Sequence, residues 1–225
     1  MPKECIVQMK TRSSQGRPVF LIHAIEGNIT ALKAMASELD RPAWGLQCTE
    51  GVPLESIESL ASFYIQLIKK VQSEGPYDIA GYSFGSVVAF EIAIQLEDAG
   101  QTVSLILLDG SPTAIKDSVS NAALHMDRME PDLLSNLYNK CLAFYVTQVN
   151  KDYTLSEVYE ILKGLPEEEL LEKMVDTINK PQYLEQNLKS AAVSFSRKVL
   201  ALTKYNPSRK VNANVKLIRT IDGLS

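Results

Sequence analysis

YDIAGYSFGSVVAFEIAIQL, Tyr77 to Leu96, is the stretch from which the fold follows. Tyr77-Asp78-Ile79-Ala80 has the length and character of a buried strand, and Ser86 to Glu97 is a helical stretch apolar on most sides. Between them lies Gly81-Tyr82-Ser83-Phe84-Gly85. A Gly-x-Ser-x-Gly pentapeptide arises by composition in about one chain in thirteen of this length, so the context has to carry the argument. Here the pentapeptide closes a strand and opens a helix, the setting of a nucleophile elbow. A serine at the tip of so sharp a turn takes a strained backbone, tolerable only if the residues two before and two after lack side chains. Gly81 and Gly85 meet that need, and the helix start aims free N–H groups at the reacting centre. The competing reading is a glycine-rich turn with an incidental serine.

Outward from the elbow the same alternation continues. Upstream, Pro18 to Ala24 (PVFLIHA) is a short apolar run of strand length followed by the loop Ile25-Glu26-Gly27-Asn28. Leu32, Met35, Ala36 and Leu39 then fall on one helical face. Ala43 to Thr49 (AWGLQCT) predicts a second strand. Ser56 caps a longer helix with Ile57, Leu60, Ala61, Tyr64, Ile68 and Val71 on one face and Lys69 and Lys70 near its C-terminus. Downstream, Val103 to Leu108 (VSLILL) is a continuous apolar run ending at Asp109-Gly110-Ser111-Pro112. Strand and helix alternating at this spacing predict an α/β fold, a mostly parallel sheet with helices on both faces.

The pattern changes after Pro112. Residues 113–207 show no convincing strand and three helical stretches, near Asp132 to Val149, Leu155 to Asn179 with a break at Gly164-Leu165-Pro166, and Tyr183 to Tyr205. These predict a helical lid inserted into the core. Residues 208–225 return to the core with a strand at Asn214 to Thr220, while residues 1–17, polar and patternless, read as a tether.

Composition narrows the function classes. The 225 residues carry 23 Lys and Arg against 27 Asp and Glu, a net charge of −4 with no basic run, which argues against a nucleic-acid binder. No apolar stretch approaches a membrane span, and the first ten residues lack a signal peptide's apolar core. Three widely spaced cysteines, Cys5, Cys48 and Cys141, and two histidines predict neither a disulfide framework nor a metal site, and fit a reducing cytoplasm.

An activated serine needs a base and an acid that orients it. Asp109 ends the strand after the elbow helix, on the sheet edge where ligands gather. It serves equally well, on spacing alone, as a turn-capping aspartate before Gly110-Ser111. In this fold the loop after the first strand supplies one oxyanion N–H and the residue after the nucleophile the other, which points to the backbone amides of Ile25 and Phe84. His23 reads as a structural support of that loop, and His125 as a solvated lid residue.

Taken together, RPVFLIHAIEGN (Arg17 to Asn28), GLQCT (Gly45 to Thr49), EGPYDIAGYSFGSVVAFEIAIQL (Glu74 to Leu96) and LLDGSPT (Leu107 to Thr113) resemble the thioesterase domain that ends the animal fatty acid synthase. The resemblance implies an α/β-hydrolase core, a helical lid over an acyl groove, Ser83 as nucleophile and Asp109 as acid. It implies hydrolysis of a long-chain, palmitate-like acyl thioester from the phosphopantetheine arm of an acyl carrier protein, with no further cofactor. The family usually has tyrosine where this chain has Phe84. It also carries its catalytic histidine after a further strand, in a Gly-Asp-His-type turn before a last helix. No histidine here matches that position, so the expectation is a domain lacking its final strand, helix and base. A non-catalytic acyl-chain or carrier-binding remnant, or another serine esterase or acyltransferase, are the alternatives.

Overall fold

A computed structural model describes residues 2–115, 133–178 and 185–219. Its centre is a six-stranded sheet of β1 (Ile6–Met9), β2 (Val19–Ile22), β3 (Ala43–Leu46), β4 (Tyr77–Tyr82), β5 (Val103–Leu108) and β6 (Asn214–Ile218), in the order β1-β3-β2-β4-β5-β6. All neighbours are parallel except β1, which runs antiparallel to β3. The parallel α/β expectation holds, with one correction at the N-terminus. The stretch expected to be a tether contributes β1, with Ile6 opposite Leu46 and Met9 opposite Ala43. Four residues between polar flanks are too few to show a period, and it is Met9 packing with Val19, Ile29 and Leu32 that secures the strand.

The chain crosses from β3 over β2 to reach β4, so the strand order reverses between β2 and β4. In open α/β sheets ligands gather at the carboxyl ends of the strands at such a point. Register sharpens the placement. Ile22 pairs with Gly81, Gly81 with Leu107, and Leu108 with both Tyr82 and Ile218. Ser83 and Asp109 therefore emerge side by side in one row, with His23 one step behind across the switch point.

Helices α2 (Ile57–Val71) and α3 (Phe84–Asp98) cover one face, where Ile57, Leu60, Tyr64, Val88 and Ile92 pack on Phe20, Ile22, Ile79 and Leu105. Ser56 opens α2 with reciprocal bonds to Ser59, as its capping role predicts. The other face holds a smaller cluster under the short α1 (Lys33–Ser37), with a 3₁₀ turn before it in place of the longer helix expected there.

The lid helices are α4 (Leu133–Val149), α5 (Leu155–Leu162), α6 (Glu167–Ile178) and α7 (Glu185–Lys204), and the break expected at Gly164-Leu165-Pro166 separates α5 from α6. They bury a core of their own around Leu142, Val146, Leu162, Met174 and Ala192. Helix α7 joins the two cores, since Ala201, Leu202 and Tyr205 at its end belong to the main cluster. The Tyr205 hydroxyl donates to the buried Glu91 carboxylate at 2.7 Å, locking the lid's exit onto α3.

At the sheet end away from this row, Arg17 and Arg41 converge on Asp78. Burial pushes the Asp78 carboxyl up, but the two guanidiniums outweigh it and hold the group below the usual aspartate range. A depressed carboxylate contributes stability that is complete above its unfolded pKa and lost as pH falls through the folded value. Asp78→Asn is therefore expected to cost about 2–3 kcal/mol at neutral pH, as for charge-assisted bonds, with the penalty shrinking below about pH 4. Urea unfolding of both chains across that range checks it. A penalty that persists unchanged in acid contradicts the assignment.

Candidate functional site

The turn from β4 into α3 is a single residue. Ser83 has φ 52° and ψ −120°, a conformation that costs an L-residue about 1–3 kcal/mol. Two side-chain absences permit it. A Cβ on Gly81 would lie 2.1 Å from the Gly85 carbonyl oxygen, and one on Gly85 would lie 2.4 Å from that of His23. The Ser86 hydroxyl stitches the turn by donating to the Gly81 carbonyl at 2.8 Å. Phe84 is the first residue of α3, directly after the half-buried Ser83, so its N–H is among the donors at the helix's positive end that have no acceptor within the helix.

Asp109 leaves β5 with φ 49°. Ser83 and Asp109 are the two non-glycine residues with positive φ among the described residues, and they sit at the ends of adjacent strands. The Asp109 N–H donates to the Ile218 carbonyl at 2.8 Å. A Cβ on Gly110 would lie 2.8 Å from the Ser83 carbonyl oxygen, so this turn packs directly on the elbow. In the sequence Gly110 reads only as turn chemistry, since the contact joins two separate strands.

Across the switch point, the Gly27 N–H donates to the Ala24 carbonyl at 3.0 Å, closing a turn with Ile25 at its second position. The Ile25 side chain is half-buried against Cys141, Phe195 and Val199 of the lid. Elbow, Asp109 turn and Ile25 turn thus share one sheet edge, at the seam of core and lid.

His23 lies beneath that seam and is fully buried. Its Nδ1 is 2.5 Å from the Ala24 carbonyl oxygen, which can only accept, so Nδ1 carries the proton. Nε2 then accepts from the Tyr64 hydroxyl at 2.8 Å, with the Cys48 Sγ at 3.2 Å. Burial, reinforced by the Lys198 charge, lowers the imidazole to about 3 against the opposing Ala24 bond. With both nitrogens engaged, this ring is a support for the loop and for Phe84, on which it stacks, and not a base. His125 lies outside the described residues. Burial also pushes the Cys48 thiol up, so the Cys48–His23 contact holds no thiolate–imidazolium pair. The sequence offers Tyr64 only as part of a helix's apolar face and Cys48 only as one of three scattered cysteines, because three distant segments assemble this network.

The His23 shift has a testable sign. Its folded pKa is lowered, so the unfolded chain binds the extra proton between about pH 6.5 and 3, and stability falls as pH drops through that interval. At about pH 5 the loss is about 2 kcal/mol relative to pH 7.5. His23→Asn is expected to remove this component in paired urea titrations at the two pH values. Equal pH losses in both chains contradict a neutral buried His23.

A family model described as thioesterase domain matches residues 17–212. Polyketide synthase PksR of Bacillus subtilis (strain 168) is 32% identical over 176 residues, covering 74% of this chain and 7% of PksR. Nonribosomal peptide synthetase apvA of Aspergillus terreus is 30% identical over 176 residues, 76% of this chain and 18% of that protein. The chain thus spans a small part of the length of these relatives. Among solved structures, the covalent complex of the NocB thioesterase domain with a fluorophosphonate nocardicin G analogue aligns with TM-score 0.60 at 20% identity, over 95% of this chain and 76% of that one.

Proposed function

The chain belongs to the thioesterase domain family, and from that footing we propose that it releases an acyl group held as a thioester on the phosphopantetheine arm of an acyl carrier protein. The observation that carries this is the pair of strained residues, Ser83 and Asp109, at adjacent strand ends beside the Ile25 turn. In this reading the Ser83 Oγ attacks the thioester carbonyl, and the N–H groups of Ile25 and Phe84 receive the oxyanion. Collapse expels the pantetheine thiol and leaves an acyl-serine that water then hydrolyses. Asp109 orients the imidazole that takes the serine proton. His23 is sealed from that role, and no histidine of this sequence stands at the position where the resembling family carries its base.

A fold that only binds acyl chains gives no reason to keep Ser83 at φ 52°. The acyl group in this reading is a long fatty chain. That is supported by the runs Arg17 to Asn28 and Glu74 to Leu96, and by the apolar seam of Ile25, Tyr145, Phe195 and Val199. The polyketide and nonribosomal peptide synthetases among the relatives favour a second reading, in which the released group is a polyketide or peptide. In either case the partner is a carrier protein. A cytoplasmic setting goes with the three free cysteines, and no helix among the described residues is long and apolar enough to cross a membrane.

Ser83→Cys separates acyl acceptance from the need for a base, because a thiol at a helix N-terminus ionises by itself. Palmitoyl, acetyl and peptidyl pantetheine thioesters are offered in turn and the adduct is mapped by mass. The expected result is one acyl group on residue 83, palmitoyl fastest, with none gained by Ser83→Ala. A faster peptidyl transfer moves the substrate class to the second reading, and a folded chain that takes no acyl group removes Ser83 as nucleophile.

A further inference from the structure

Among the described residues, Lys198 is a buried charged side chain that neither the fold nor the proposed chemistry uses. It lies on the buried face of α7 with Phe195, Val199 and Leu202, and is 1% exposed. An ammonium removed from water is costly unless polar or charged groups answer it, and an unbranched apolar side chain would fill the same place without that cost. What it meets is the turn that carries Ile25. Its Nζ lies 2.7 Å from where a Cβ on Gly27 would sit, so the ammonium rests on the Cα of Gly27, which itself has φ +81°. Burial pulls the ammonium below the usual lysine range, against the opposing pull of Cys48 and Glu26.

The other sides of this turn are already held. From within, Gly27 N–H and His23 Nδ1 both reach the Ala24 carbonyl, and Cys48 N–H donates to the Gly27 carbonyl at 2.8 Å. From the lid, Phe195 and Val199 press on Ile25. Lys198 closes the lid side at Gly27. The Ile25 peptide is thereby fixed between a core network and one helix of the lid.

We propose that Lys198 is a positioning residue for the Ile25 N–H, through which α7 sets the geometry of the oxyanion site. It touches the turn and not the substrate, and the inference rests on the reading of Ile25 as an oxyanion donor. A lid helix placed in this way couples the seating of α7 to the competence of the site, since a donor shifted by about 1 Å loses much of its effect on a developing charge.

Lys198→Met removes the ammonium and keeps the stem. In the Ser83→Cys background, acylation by palmitoyl pantetheine thioester is expected to slow about 10–100-fold at saturation, with half-saturation changed less than about twofold. The melting temperature is expected to hold or rise, because a buried charge has gone. A merely structural lysine predicts the opposite pairing, with rate and Tm falling together, and that result overturns the proposal, as does an unchanged rate. Amide exchange supplies a readout that needs no chemistry. Lys198→Met is expected to speed exchange in residues 23–28 while α3 stays protected, and equal protection in both chains overturns the proposal. If Ser83→Cys itself takes no acyl group, the thioesterase assignment of Ser83 fails separately, and the exchange result alone decides Lys198.

Discussion

Gly81→Ala is expected to destabilise the folded state severely. The new Cβ would stand 2.1 Å from the Gly85 carbonyl oxygen, 2.4 Å from its carbon and 2.6 Å from the Ser86 nitrogen. All three are backbone atoms of the first turn of α3, so no side chain can swing aside. Relief requires α3 to move, and Val87, Val88 and Ile92 of that helix are at 0% exposure in the main core. Overpacking of side chains alone costs about 1–3 kcal/mol. Displacing a core helix adds to that, and a loss of about 4 kcal/mol or more is expected, a large share of a domain's whole stability. Gly100→Ala is the control. Gly100 has φ +74° and open space around it, so its alanine should cost only about 1 kcal/mol. Circular dichroism and urea unfolding compare the two, and equal small losses contradict the elbow packing described above.

Ser83→Gly is expected to move stability and chemistry in opposite directions. At φ 52° and ψ −120° a Cβ is strained, and glycine relieves that strain. The gain is partly offset by the freer unfolded chain, leaving about 1 kcal/mol of net stabilisation. Ser83→Ala keeps the Cβ and should be close to neutral. Both variants remove the proposed nucleophile, and with it whatever acyl release the chain shows above the buffer rate. Urea midpoints together with thiol release read both effects. A Ser83→Gly chain no more stable than Ser83→Ala contradicts the claim that strain is stored at this serine for function.

Much of this architecture is legible because local signals agree with the tertiary outcome. Val103–Leu108 is a strand with the bounds its apolar run predicts, and the α5–α6 break falls at Gly164-Leu165-Pro166. The elbow is legible for the same reason, although α3 begins at Phe84 rather than Ser86 because the turn is only one residue long. What escapes the sequence depends on distant partners. Residues 6–9 become a strand because Ala43–Leu46 offers an open edge. Leu32, Met35, Ala36 and Leu39 share a helical period, but the chain there forms a 3₁₀ turn and a helix of five residues. Lys198 looks like one more charge on a long helix until α7 is laid against Gly27. The expected lid boundary near residue 207 is blurred for a similar reason, since Ala201, Leu202 and Tyr205 of the lid's last stretch pack into the main core.

The measurement that bears most directly on the account is thiol release from palmitoyl pantetheine thioester by the unaltered chain, run beside Ser83→Ala with both shown to be folded. The strained elbow, the Asp109 turn and the Ile25 and Phe84 amides predict release above the buffer rate that disappears with the Ser83 hydroxyl, slow because His23 is sealed from the base role. Release equal in the two chains contradicts Ser83 as the nucleophile.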